Sequence, residues 1–175
     1  MHTIQYIATQ ADDVDEAFRS VKSYLEEHLG GEYDNHNAWY DWFVTGGGRW
    51  TTDPNNQYND DYQGDVAHQD DEAFQRYLDS AHKMRLETLN EYIEQARKVN
   101  LSDIIDKLGD FEHDHHSVGF ELYPVKKLYD LSIGMWDYNS FFFDIVHDSA
   151  NRIHLLKSID NGANNWYLVP VDFHF

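Results

Sequence analysis

The chain has 175 residues, 15% of them aromatic, and its 32 acidic and 13 basic side chains give a formal charge of −19. That length fits one domain, and the aromatic content excludes an intrinsically disordered chain. The absence of cysteine excludes disulfides, thiolate metal sites and cysteine catalysis. The N-terminus lacks the basic and apolar regions of a signal peptide, and no apolar run approaches the ~18 residues of a membrane helix. We therefore expect a single acidic domain over residues 1–175, located in the cytoplasm.

The first half of the chain alternates between strand and helix patterns. Residues 2–8 alternate polar and apolar side chains, as a strand does. Residues 12–29 carry apolar side chains at helical spacing, and two glycines then predict the end of that helix. The aromatic run 39–44 predicts a second strand, and the polar residues 51–69 predict an exposed loop.

The second half begins with helices and ends with strands. Residues 70–99 carry one apolar face and form the longest predicted helix. Ser102 is a candidate cap for a short helix that ends near Gly109, and residues 124–131 predict one more helical turn. Three predicted strands follow, at 141–147, 153–159 and 166–175, and a hairpin loop joins the first two. The order β-α-β-α-α-β-β-β predicts an α+β fold, with a mainly antiparallel sheet of about five strands and helices packed on one face.

The excess of acidic side chains predicts which partners the surface accepts. It repels the phosphates of duplex DNA and the headgroups of anionic membranes. It attracts cations or a protein partner with a basic surface. Mimicry of DNA is not favoured, because the acids are spread over the first helix and the loops. Solubility or adaptation to salt explains the same charge without any partner.

The most distinctive segment is Trp39-Tyr40-Asp41-Trp42-Phe43-Val44-Thr45-Gly46-Gly47-Gly48-Arg49-Trp50. It resembles a Trp-Asp-Trp…Gly-Gly-Arg-Trp segment of uncharacterised proteins of tailed bacteriophages. The opening unit with Gln5-Tyr6-Ile7-Ala8 is also similar to those of phage proteins, phages of cyanobacteria among them. The resemblance extends no further than Trp50. It implies a phage accessory protein in the cytoplasm of the host cell, and it implies no particular activity.

The same segment is a candidate ligand site. A glycine-rich turn exposes backbone N–H groups that can hold an anion, Arg49 can bind phosphate or carboxylate, and Trp42 or Trp50 can stack on a ring. The predicted ligand-binding residues are Trp42, Gly46, Gly47, Gly48, Arg49 and Trp50. Their spacing matches neither a P-loop nor a dinucleotide fingerprint. The alternative is a tight structural turn in which Arg49 pairs with an acid such as Asp41.

A cluster of histidines is the second candidate site. Residues 112–116 read Glu-His-Asp-His-His, and imidazole and carboxylate are natural ligands of zinc, manganese and iron. The predicted metal ligands are His113, His115 and His116, with His36, His68, His147 or Asp144 completing the site if the fold brings them near. The alternative is a solvated loop.

Three functions remain open at this point. The first is an accessory protein that binds a host or phage component without catalysis and without a cofactor. The second is a small-ligand or nucleotide-binding domain centred on residues 46–50. The third is a metal-dependent hydrolase that uses the histidine cluster.

Overall fold

The computed structural model describes residues 1–29, 38–110 and 115–175. Its strands are β1 (His2–Gln10), β2 (Trp42–Thr45), β3 (Ala67–His68), β4 (Phe142–Asp144) and β5 (Trp166–His174). Its helices are α1 (Val14–Leu29), α2 (Glu72–Ala96), α3 (Leu101–Gly109), α4 (His115–Ser132) and α5 (Ile153–Asp160). No helix among these described residues is long and apolar enough to cross a membrane.

The five strands form one open, mixed sheet in the order β2-β5-β1-β4. The central pair, β1 and β5, is antiparallel over nine residue pairs, from His2 opposite His174 to Gln10 opposite Trp166. β2 and β3 both pair antiparallel with the far side of β5, whereas β4 pairs parallel with β1. The α+β class is therefore confirmed, and the expectation of a mainly antiparallel sheet needs the correction that one edge is parallel.

Helices cover both faces of the sheet, so the prediction of helices on one face was wrong. On one face Tyr6 and Leu168 pack with Leu78 of α2 and Leu155 of α5. On the other face, Ile7 packs with Phe18, Val21 and Leu25 of α1. Helices are needed on both faces because β1 and β5 are buried on both sides. Alternate residues of these strands face two separate apolar clusters.

Several predicted elements have different bounds or a different type. Residues 153–159 form helix α5 rather than a strand, because Leu155 and Ile159, one helical turn apart, both pack on the core. The expected hairpin is thereby lost. The cap of α3 is Asn100, whose side chain accepts hydrogen bonds from the amides of Ser102 and Asp103.

The segment 51–69 is not the fully exposed loop that its composition predicted. Asp65 and Ala67 are buried, and β3 lies within it. The hydroxyl of Tyr77 donates to the carbonyl of Asp65 at 3.0 Å, which ties the segment to α2. The end of the segment, around Asp65 and Ala67, is therefore part of the folded core, while much of the rest is exposed.

Candidate functional site

The glycine turn follows β2 directly and has an unusual backbone. Gly46, Gly47 and Gly48 all have positive φ values, of 83°, 93° and 49°. Residues 48–50 then form one turn of 3₁₀ helix. The amide of Gly47 donates to the carbonyl of Pro170 at 2.8 Å, so β5 anchors the turn. This geometry explains the three successive glycines, because residues other than glycine rarely adopt a positive φ.

A buried carboxylate from the protein itself lies against this turn. Asp172, on β5, is 1% exposed, and its Oδ2 accepts a hydrogen bond from the amide of Arg49 at 3.2 Å. Its Oδ1 lies 2.9 Å from Nδ1 of His2. The approach requires glycine, because a Cβ on Gly48 would lie 2.5 Å from Cβ of Asp172.

A second buried carboxylate holds the residues after the turn. Oδ2 of Asp65 accepts hydrogen bonds from the hydroxyl of Thr51 at 2.5 Å and from the amide of Thr52 at 2.9 Å. The hydroxyl of Thr52 donates to the other oxygen of Asp65. The amides of Arg49 and Thr52 therefore already bind carboxylates of the chain.

The side chains of the predicted ligand site remain at the surface. Arg49, Trp42 and Trp50 are exposed, and no carboxylate among the described residues lies within 4 Å of the Arg49 guanidinium. Asp41, the expected partner of Arg49, instead lies 2.6 Å from Nδ1 of His174. That contact holds the pKa of Asp41 below its usual value. Trp42 stacks on His174 with ring centroids 5.1 Å apart. The pairing of Arg49 with Asp41 is therefore wrong, while ligand binding at residues 46–50 stays a prediction.

The histidine cluster is only partly described. His113 and the residues beside it lie outside the described residues, as does His36, and for His115 only the backbone is described. His116 is exposed at the start of α4. His147 pairs with the buried Asp144 at 2.6 Å, and His68 lies near Asp70. Within residues 1–29, 38–110 and 116–175, no three histidine or acidic side chains are placed to hold a metal. The metal site stays a prediction.

A cavity that the sequence did not predict lies between α2, the start of β4 and the residues before α5. Its volume is about 220 Å³. Helix α2 contributes one face, since its lining residues 78, 81, 82, 85, 86 and 89 recur at helical spacing. Phe142 and Ala150 also line it. The lining joins six apolar residues with the polar residues His82, Arg85, Ser140, Asn151 and Arg152.

Arg85 is the most constrained polar residue of this cavity. Its guanidinium donates to the carbonyl of Leu131 at 2.6 Å and to the carbonyl of Ala150 at 2.9 Å. Burial lowers the pKa of Arg85, and the more distant Asp137 opposes that shift. The two carbonyls fix the plane of the guanidinium without neutralising its charge.

Arg152 brings a second positive charge to the cavity from the N-terminal end of α5. It donates to the carbonyl of Leu78 at 3.4 Å, a long contact that leaves most of its N–H groups available. None of the eleven described residues that line the cavity is Asp or Glu, although the chain contains 32 of them. The cavity is thus electropositive within a strongly acidic protein.

The backbone beside the cavity is strained. Phe141, between the lining residues Ser140 and Phe142, has a φ of 58°, which is unusual for a bulky side chain. Such conformations cost about 1–3 kcal/mol and concentrate at functional sites. The carbonyl of Phe141 accepts a hydrogen bond from the amide of Tyr6 at 3.1 Å, which holds the residue in place.

One signal in the sequence could have indicated this cavity. Arg85 interrupts the otherwise apolar stripe of Leu78, Ala81 and Leu89 on the buried side of α2. A charged residue in such a stripe needs a partner, and no acid lies at positions 81, 82, 88 or 89, where a helical partner would lie. The contribution of Arg152 depends on tertiary structure and has no local signal.

No family model, curated protein or solved structure matches this chain. The resemblance to phage proteins therefore remains a prediction.

Proposed function

We propose that this protein binds a small molecule in the cavity between α2, β4 and α5. The observation that carries the proposal is the combination of an apolar cavity of about 220 Å³ with fixed hydrogen-bond donors in its wall. Ligand sites in proteins are mostly apolar concavities with a few convergent polar groups, and they usually measure roughly 300–1,000 Å³. The smaller volume here suits a compact ligand, such as one that contains a single aromatic ring.

Blocking the cavity tests this proposal. His82 lines the cavity from an exposed position on α2, so His82→Trp places a large ring at the entrance without disturbing the buried core. Lys83→Trp is the matched control, because the neighbouring Lys83 is exposed and does not line the cavity. Saturation-transfer NMR with small neutral and charged aromatic compounds should detect binding to the wild type and to Lys83→Trp. Binding should be lost in His82→Trp. Equal binding by both variants, or none by the wild type, would contradict the proposal.

A protein partner is a second candidate function, and the surface of α3 supports it. Leu101, Ile105 and Leu108 lie on one side of this helix and are 63%, 69% and 48% exposed. An apolar stripe in an acidic surface suits a partner that surrounds an apolar patch with basic residues. A host or phage protein, as the sequence suggested, is such a candidate.

The test is capture from a bacterial host lysate by the wild type, by Ile105→Ser and by Ile93→Ser. Ile93 is also exposed, but it lies on α2 and does not line the cavity. A specific partner should be lost with Ile105→Ser, be retained with Ile93→Ser, and dissociate as salt is raised. A partner retained by both variants would not use α3.

A further inference from the structure

About half of the lysines and arginines of this protein are paired with a carboxylate, and the two arginines of the cavity are not. Seven of the 13 lysines and arginines lie within 4.0 Å of a described carboxylate: Arg19, Lys22, Lys83, Arg97, Lys107, Lys126 and Lys127. The other six have no such partner among the described residues: Arg49, Arg76, Lys98 and Lys157 do not line the cavity, whereas Arg85 and Arg152 line it together. The charge of Asp137 acts on Arg85 from farther away. Two cations that share one cavity without an acidic lining residue make this cavity a suitable site for an anionic ligand.

The donors of these two arginines match an oxyanion. A guanidinium has five N–H groups, of which Arg85 uses two and Arg152 uses one on backbone carbonyls. Both side chains are half-buried, so their remaining N–H groups stay available to a ligand. A guanidinium matches the geometry of carboxylate and phosphate oxygens, which it binds through two parallel hydrogen bonds. Because Arg85 is fixed from both sides, its orientation is set before a ligand arrives.

The number of charges favours phosphate over carboxylate. A phosphate monoester carries about −1.5 to −2 at neutral pH, which balances two guanidinium groups. A monocarboxylate would leave one of the two cations without a counter-charge. Leu78, Leu89 and Phe142 supply the apolar wall for the organic part of the molecule.

We infer that the ligand is a phosphate monoester with a compact apolar body, and that Arg85 and Arg152 bind its phosphate. The inference rests on the proposed function, since it names the ligand class of the same cavity. The apolar body packs between α2 and Phe142.

Calorimetric titration with three related probes tests this assignment. Phenyl phosphate, benzoate and benzyl alcohol share one ring and differ in charge. At low salt we expect phenyl phosphate to bind roughly tenfold or more tightly than benzoate, and benzoate more tightly than benzyl alcohol, since charge-assisted hydrogen bonds account for the difference. Benzoate or benzyl alcohol binding as tightly as phenyl phosphate would overturn the inference.

Two variants connect this affinity to the arginines. Arg152→Gln removes one charge and only one long hydrogen bond, so the fold should persist, and binding of phenyl phosphate should weaken roughly tenfold or more. Arg85→Lys retains charge but loses the planar fork, and it should also weaken binding. Arg76→Gln is the matched control, because Arg76 is also on α2 and lies over the ring of Tyr77, outside the cavity. Equal affinity in Arg152→Gln and in the wild type would overturn the inference.

The two proposals fail in different ways. If benzyl alcohol binds, loses its binding in His82→Trp and equals phenyl phosphate in affinity, the cavity is a ligand site but the phosphate assignment is wrong. If no probe binds the wild type, both the ligand site and the phosphate assignment are wrong.

Discussion

Lys127 and Asp137 form a buried ion pair, with Nζ of the lysine 2.6 Å from Oδ2 of the aspartate. The pair joins α4 to the segment that leads into β4 and to the cavity. Burial alone would lower the pKa of Lys127, but Asp137 together with Tyr138 and Tyr123 outweighs it and the pKa is raised. The ammonium also lies over the ring of Tyr138, 4.6 Å from its centroid.

We expect Lys127→Met to destabilise the protein by about 3–5 kcal/mol, because it leaves Asp137 buried without its partner. Lys83→Met is the control, since Lys83 and Glu87 form an exposed pair 4.0 Å apart, and its effect should be within about 0.5 kcal/mol. Urea denaturation measures both. A similar small effect for the two variants would show that the buried pair contributes little.

Gly48 should not tolerate alanine. The new Cβ would lie 2.5 Å from Cβ of Asp172, and the φ of 49° is itself unfavourable for alanine. We expect Gly48→Ala to lose at least about 2 kcal/mol of stability. Gly119→Ala is the matched control: Gly119 lies within α4 with no described atom within 4 Å of an added Cβ, so the change should be neutral or stabilise by up to about 1 kcal/mol. Thermal melts of both variants measure this difference in stability. Equal melting temperatures for Gly48→Ala and Gly119→Ala would contradict the prediction.

These two cases also show which parts of the fold the sequence could predict. The prediction of the long helix α2 was correct because its apolar spacing persists over many turns. The predictions of β1 and β5 were correct because β1 alternates polar and apolar residues and β5 is almost continuously apolar. The glycine turn was identified as a turn, but nothing local indicates that Asp172, more than 120 residues later, fills it. Helix α5 was mistaken for a strand, since eight residues with Ile and Leu fit either period.

Alkaline pH should destabilise the protein partly through Tyr77. Burial, and next the nearby Asp65, raise the pKa of this residue from 10.0 to about 12. A group whose folded pKa is raised contributes stability that is complete below its unfolded pKa and is lost as pH rises through the folded value. The contribution of Tyr77 should therefore disappear between about pH 10 and 12. Between about pH 10 and 12, the free energy of unfolding of Tyr77→Phe should fall less steeply than that of the wild type. Tyr58→Phe changes an 86% exposed position and should follow the wild type. Parallel curves for Tyr77→Phe and the wild type would contradict the assignment.

The predicted metal site has a direct test that does not depend on the geometry of residues 111–114. If His113, His115 and His116 bind an ion, protein purified without a tag should contain near-stoichiometric zinc or manganese. Binding should weaken as pH falls below the ordinary histidine pKa of about 6.5, because the ligands must be neutral. The double variant His113→Ala/His115→Ala should lose the metal, whereas His82→Ala, an exposed histidine on α2, should keep it. An unchanged melting temperature with chelator and with added metal would exclude the site.

Arg49 and Asp172 should differ sharply in their effect on stability, although they contact each other. The contact uses the backbone amide of Arg49, which remains when the side chain is removed. The guanidinium is exposed and has no carboxylate within 4 Å among the described residues. We therefore expect Arg49→Ala to change stability by less than about 0.5 kcal/mol. Asp172→Ala should lose about 2–3 kcal/mol, because it leaves the Arg49 amide and His2 without an acceptor. A large loss in Arg49→Ala would mean that its side chain is structural and would exclude it from a ligand site.

If the loss is small, a titration with inorganic phosphate decides between the two interpretations of the turn. The amide resonances of residues 46–50 are followed by NMR during this titration. Shifts that vanish in Arg49→Ala would support an anion site there. Unmoved resonances would mean that Asp172 and Asp65 are the only anions this turn holds.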